Sequence, residues 1–374
     1  MRIIIYNDLI FGGGTETLLR IFTDFFLKKG NDITIVASPE DPEDFKKAFP
    51  MGVHCIRGRL PKKKNNNNKI LSGCYFLKRK AYRALTILRI KAKKFDVAIS
   101  MIEGHNMKEV ASLRAQKKLV WIQCDYENFH NRDWYKKVYS SREEEIECMR
   151  CYDKIVCVSE TAKAGLIETV GDTGNLCVRY NPIDWRKIRE LSEENCAFSK
   201  NLSRKLIVAV GRLFPDKNYK CLLAACDLLK NELDFELWIV GDGPQKGELA
   251  EYISSNNLTN VKLLGFQANP FPIIKQADIF VSSSISESYG LSVQEALILG
   301  VPVVAVKCSG IAESLNPEFG VLVDNSSEEL SKAIRELLSN PDELDAYRSF
   351  IKNNYSLNSL FDDRMESIYQ LLEE

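Results

Sequence analysis

Residues 277–313 read ADIFVSSSISESYGLSVQEALILGVPVVAVKCSGIAE. Ala277 to Ser283 is a short apolar run with little polar alternation, the pattern of a strand buried on both faces. Ser284 to Gly290 is too polar for a core and ends in a glycine where the backbone must turn closely. From Leu291 the spacing becomes helical, with Leu291, Val293, Ala296 and Leu297 apolar and Gly300 as the stop. Pro302 then precedes a second buried strand, Val303 to Val306, and Ser309-Gly310 opens another loop.

A strand, a tight glycine turn and a helix N-terminus gather free backbone N–H groups and about half a positive charge, which suits phosphate. Two carboxylates flank the turn: Glu287 in the loop and Glu295 about one helical turn in. A carboxylate is a poor phosphate ligand but a good acceptor for a vicinal diol. One acid for a ribose, one for a sugar hydroxyl and a helix end between them for phosphates describe a nucleotide-sugar site. The two glutamates stand with seven residues between them, and Gly290, Gly300-Val301-Pro302-Val303-Val304 and Ser309-Gly310 complete the motif. In this the stretch resembles the retaining family-4 glycosyltransferases of GT-B fold, an α/β architecture of two Rossmann-like, doubly wound parallel-sheet domains facing each other across a cleft.

The 374 residues suit about two domains of roughly 150 each, and 45% hydrophobic residues suffice for two cores. No apolar run is long enough to cross a bilayer, and Met1-Arg2-Ile3-Ile4-Ile5-Tyr6 reads as a first strand rather than a signal peptide. The eleven cysteines lie singly in apolar contexts and read as reduced, buried thiols. Cys148 and Cys151 have no second pair to complete a zinc set, and His54, His105 and His130 are isolated, so no metal site is expected.

The net charge is zero, yet Met51 to Phe95 holds fourteen Lys or Arg and no acid, leaving 37 bases against 51 acids elsewhere. Such a split points to an anionic partner for one half. Ile70 to Phe95 mixes Tyr75, Phe76, Leu77, Ala81, Leu85, Leu88 and Ile90 with bases at near-helical spacing. The expectation is peripheral contact of 57–94 with anionic lipid, on the inner, cytoplasmic face of the cell membrane. A helix with a core-facing apolar side and solvated bases has the same composition. No nucleic-acid-binding module is recognisable.

Along the chain, strands alternate with helices in two halves, which argues for two parallel sheets. The expected domains are 1–190 on the acceptor side and 191–357 for the nucleotide sugar, with 192–204 as linker. That the last helix, 358–374, returns to the first domain is implied by the resemblance. Gly12-Gly13-Gly14 after the first strand makes a second, weaker anion cradle. A nicotinamide site is disfavoured because G-x-G-x-x-G with a following acid is missing. Gly13 and Gly14 match the family's N-terminal glycine loop.

Arg212 and Lys217 stand at a strand mouth, where two cations can neutralise a departing diphosphate; the matching family residues do so without a metal or other cofactor. The resemblance further implies that Glu287 contacts the transferred sugar and Glu295 the ribose. The amides of Tyr289, Gly290 and Leu291 would take phosphate, with Ser288, Gly243 and Phe266 completing the donor side. It implies retention by same-face attack on a UDP-sugar, carrying a hexose or N-acetylhexosamine to a lipid-linked or surface polysaccharide precursor. A soluble acceptor, or a non-catalytic nucleotide-sugar-binding protein, are the rival readings. Many relatives carry a histidine where this chain has Gln123, which cannot take a proton. Asp125 or His105 are the candidates for that role.

Overall fold

Among the described residues the apolar runs form thirteen strands in two wholly parallel sheets. The computed structural model describes residues 1–7, 14–38, 49–60, 69–126 and 135–374, with the side chains of 69–73 and 136 outside the description. The first sheet comprises β1 (Arg2–Tyr6), β2 (Asp32–Ala37), β3 (His54–Arg57), β4 (Phe95–Ser100), β5 (Ala115–Ile122), β6 (Lys154–Cys157) and β7 (Leu176–Val178), in the order β3-β2-β1-β4-β5-β6-β7. The second comprises β8 (Lys205–Val210), β9 (Phe235–Val240), β10 (Val261–Gly265), β11 (Ile279–Ser282), β12 (Val303–Val306) and β13 (Gly320–Val323), in the order β10-β9-β8-β11-β12-β13. Each order reverses once, between β1 and β4 and between β8 and β11. At such a switch point successive crossovers leave to opposite faces and open a crevice at the carboxyl ends of the strands.

The second sheet shows why its strands read as continuous apolar runs. Ile207, Ala209, Leu237, Ile239, Ile279, Val281, Val304 and Val306 pack into one core layer with the helices Tyr219–Leu229 and Ser327–Ser339. The alternate residues Leu206, Val208, Trp238, Val240, Phe280, Val303 and Ala305 pack into another, with the helix Leu291–Ile298. Side chains of a strand alternate faces, so a sheet covered on both sides is apolar at most positions, and the buried Glu236 of β9 is held by Lys262 and the Trp238 indole.

The chain divides into two compact units, Met1–Pro182 with Asp362–Glu374, and Ile183–Phe361. The division precedes the helix Trp185–Ser192, which a boundary at 190 would cut. Residues 193–204 are no loose linker either: Cys196 and Phe198 pack on the second core, and Lys200 reaches the buried Asp278. The final helix, Asp362–Glu373, belongs to the first unit, burying Met365, Ile368, Tyr369, Leu371 and Leu372. Asn31 donates to the Tyr369 hydroxyl at 3.0 Å, and the Tyr369 ring lies 5.8 Å from that of Phe26. All eleven cysteines are free thiols; four are buried, while Cys74 and Cys151 are exposed, unlike the expectation for the set. No helix among the described residues is long and apolar enough to cross a membrane.

Asp278, just before β11, ties the second unit together. Its carboxylate accepts from Lys200 Nζ at 2.5 Å, the Leu206 amide at 2.7 Å and Arg348 at 3.0 Å. Burial alone would raise its pKa, but these donors hold it below the usual carboxylate range. The stabilisation is therefore present above the unfolded carboxylate pKa and lost as pH falls through the depressed folded value. Asp278→Ala should destabilise the protein by about 3 kcal/mol, the usual cost of breaking a buried, hydrogen-bonded pair, read as a lower urea midpoint for the second unit.

Candidate functional site

The loops leaving β8, β9, β10, β11 and β12 all emerge at the carboxyl edge of the second sheet, around its switch point. Their backbones meet at distances only glycine permits. A Cβ on Gly241 would stand 1.9 Å from the Gly211 carbonyl oxygen, and one on Gly243 2.5 Å from that of Leu213. One on Gly310 would stand 2.3 Å from the Glu287 carbonyl oxygen, to which the Gly310 amide donates at 3.0 Å. Gly290 adopts φ +69°, the left-handed region that glycine favours. It caps Leu291–Ile298 without a capping side chain, so the amides of Leu291 and Ser292 at the start of the helix have no side-chain acceptor from the cap.

Into this frame come the charged residues. Lys217 Nζ pairs with Glu287 Oε1, each side chain only 16% exposed. The pair joins the loop after β8 to the loop after β11, seventy residues on. Ser284 Oγ donates to the same carboxylate oxygen at 3.0 Å, Ser283 Oγ donates to the Lys217 carbonyl at 2.8 Å, and the Ile285 amide donates to the Asp216 carbonyl at 2.9 Å. Beneath them lies the buried Tyr219, whose hydroxyl occupies the space a Cβ on Gly211 would need. Burial, then the negative charges of Glu287 and Asp216, push that phenol up. Arg212 is exposed at the strand mouth, its guanidinium 5.1 Å above the Phe214 ring.

Glu295 stands apart from these hydrogen bonds, and burial pushes its carboxyl up to about 7. Ser288 and Leu291 are half-buried, whereas Tyr289 is buried. Phe266 is exposed beyond Gly265, which has φ +72°. The second unit thus gathers Arg212, Lys217, Gly243, Phe266, Glu287, Ser288, Gly290, Leu291 and Glu295 along one sheet edge.

The remaining expected positions belong to the first unit. Gly14 opens the helix Gly14–Lys28, and Gly13 lies outside the described residues. Asp125 is half-buried after β5, and His105 is exposed. Two groups escaped the sequence reading. Glu103, buried after β4, accepts the Gln123 amide at 3.0 Å, and Asn181 Nδ2 donates to Gln123 Oε1 at 3.0 Å. An acid just past a strand end was the available signal for Glu103, the same one that drew attention to Asp125. Asn7, at the end of β1, is buried with neither polar side-chain atom partnered among the described residues, and the Asn181 side-chain oxygen is likewise unpartnered there.

Two parallel-sheet units, one with a phosphate-sized helix N-terminus at its switch point, define the GT-B class of α/β folds. Solved structures agree at the level of fold: Anabaena HepE in complex with UDP and glucose superposes with a TM-score of 0.75 at 17% identity, covering 100% of this chain and 99% of that one. The apo lipopolysaccharide outer core galactosyltransferase WaaB gives 0.68 at 16%, covering 100% and 99%.

Residues 192–357, which make up most of the second unit, match the family model for glycosyl transferases group 1. A Campylobacter jejuni N-acetylgalactosamine-N,N'-diacetylbacillosaminyl-diphospho-undecaprenol 4-alpha-N-acetylgalactosaminyltransferase is 34% identical over 154 residues, 40% of each chain. The GPI3 subunit of the Saccharomyces cerevisiae phosphatidylinositol N-acetylglucosaminyltransferase is 28% identical over 181 residues, 47% of this chain and 40% of that one. The chain spans about half, or less, of the length of the curated relatives it matches.

The backbone contacts are directly testable. Gly241→Ala should force apart the loops after β8 and β9 and destabilise the second unit by about 2 kcal/mol or more, measured as a drop in Tm. A variant as stable as the parent would show that the loops can separate freely.

Proposed function

We propose that the protein is a retaining, metal-independent glycosyltransferase. It moves a hexose or N-acetylhexosamine from a UDP-sugar to a hydroxyl of a lipid-linked or surface polysaccharide precursor. The observation that carries this reading is the Lys217–Glu287 pair at the switch point of a group 1 glycosyltransferase domain. It supplies a cation for phosphate and a carboxylate for sugar hydroxyls within one rigid contact.

Arg212, Lys217 and the amides at Gly290 and Leu291 would hold the diphosphate and neutralise the charge that grows on it as the glycosidic bond breaks. Two fixed cations and a helix end supply the stabilisation for which other sites use a divalent ion. Ser284 and Lys217 fix the Glu287 carboxylate, leaving its second oxygen for the transferred sugar. Glu295 would accept the ribose diol, and Phe266 offers an exposed face beside the base. Departure and attack on the same face let a diphosphate oxygen take the acceptor proton, so Gln123 need not act as a base; Glu103 and Asp125 are the acids of the first unit beside it.

For the acceptor, the support is the polar edge of the first sheet, where Asn7 and Asn181 bury unpartnered polar atoms that a hydroxyl-rich ligand would satisfy. The names of the Campylobacter and yeast relatives, one with a saccharide on diphospho-undecaprenol and the other with phosphatidylinositol, favour a lipid-linked acceptor.

Release of UDP from a panel of UDP-sugars tests the reading. One sugar should be consumed, and Glu287→Ala and Arg212→Ala should each slow transfer by about 10²–10³, the usual effect of removing one transition-state contact. Variants as fast as the parent would overturn it.

Glu295 adds a pH signature. A diol is held by the carboxylate, not the carboxylic acid, so UDP affinity should fall by up to about tenfold per pH unit as pH drops below about 7. Glu295→Gln should bind more weakly and flatten that profile. An unchanged profile in the variant would remove Glu295 from the ribose site.

A further inference from the structure

The helix Lys69–Lys91 carries apolar side chains on two opposite faces, and among the described residues one face is packed and the other exposed. The inward face is committed: Thr86 and Ile90 are buried, Arg83 pairs with Glu109, and Arg79 Nε donates to the Leu60 carbonyl at 2.9 Å. The outward face carries Leu77, Ala81, Ala84, Leu85 and Leu88, all exposed. These positions recur at the three- and four-residue steps that place side chains on one stripe. Phe76, Leu77, Leu85 and Leu88 are between 53% and 66% exposed, four large apolar groups given to solvent by a single helix.

At 100° per residue, Lys80 and Lys91 fall along one flank of that stripe, and Lys78 and Arg89 along the other. Lys80 Nζ lies 4.7 Å from the centre of the Phe76 ring. Lys93 and Lys94 follow directly, and no acid occurs anywhere from Met51 to Phe95. Among the described residues none of Lys78, Lys80, Arg89 and Lys91 pairs with a carboxylate.

We propose that this outward stripe is a docking surface for an anionic lipid bilayer, with Leu77, Leu85 and Leu88 entering the headgroup boundary and the two basic flanks meeting lipid phosphates. A bilayer surface is negative in its outer layer and apolar just beneath, and the stripe has its bases at the rims and its leucines between them. A nucleic acid offers the phosphates but no apolar layer. The inference goes beyond sugar transfer and is read out without donor or acceptor, so each stands or falls separately.

Flotation of the full chain with phosphatidylcholine vesicles, with and without phosphatidylglycerol, tests the surface. The protein should float with the anionic vesicles only, and less so as salt rises, because exposed charges are screened. Replacing two bases together, Lys78→Gln with Arg89→Gln, should weaken partitioning about thirty-fold, at about 1 kcal/mol per base. Leu77→Gln with Leu88→Gln should reduce it by about tenfold or more, since binding scales with apolar area. All four residues are exposed or solvent-facing, and unchanged thermal unfolding and UDP binding would show the variants folded. Equal binding to neutral and anionic vesicles, or variants that float like the parent, would overturn the proposal. So would a parent chain that ignores vesicles but self-associates in sedimentation through this same stripe.

Discussion

β8 and β11 lie side by side and run in the same direction, yet their connections pass to opposite faces of the sheet. The helix after β8, Tyr219–Leu229, packs in one core layer and the helix after β11, Leu291–Ile298, in the other. The two loops that leave that parting are held to each other by contacts of their own. Lys217 with Glu287, Ser283 with the Lys217 carbonyl, and Ile285 with the Asp216 carbonyl are those contacts. The same groups that close the frame supply the charges of the crevice, which is why the site is built with so few residues.

The two glutamates illustrate how position sets behaviour. Glu287 is held by an ammonium and a hydroxyl and stays engaged with the protein. Glu295, one helical turn in, has its carboxyl raised by burial. One acid is preset in geometry and the other is adjustable in charge. Residue type alone made them look equivalent.

Much of this was legible in the sequence because the determinants are local. Val303 to Val306 is a strand over the residues that its apolar run marks, since it has no polar position to blur its ends. Gly290 and Gly300 punctuate the helix between them, both at positive φ. The short strands His54–Arg57 and Gly320–Val323 were not legible: each lies at a sheet edge, is only four residues long and is partly exposed. Nor could the Glu103–Gln123–Asn181 chain of hydrogen bonds be read, because it joins the ends of three different strands through register rather than spacing. In the segment expected to be amphipathic, composition placed Phe76, Leu77, Leu85, Leu88 and Ile90 together; only packing separates Ile90, turned inward, from the leucines left outside.

The first unit closes with a helix that the chain reaches only after completing the second. Tyr369, Met365 and Ile368 fill space against a core whose other members come from the first 182 residues. During synthesis the second unit therefore emerges whole, and acquires its full set of partners, while the first still shows an apolar hollow where Asp362–Glu373 will lie. Domains generally fold as units in order of emergence. Here the order is inverted for one of them, and the second unit has its full set of partners before the unit encoded ahead of it.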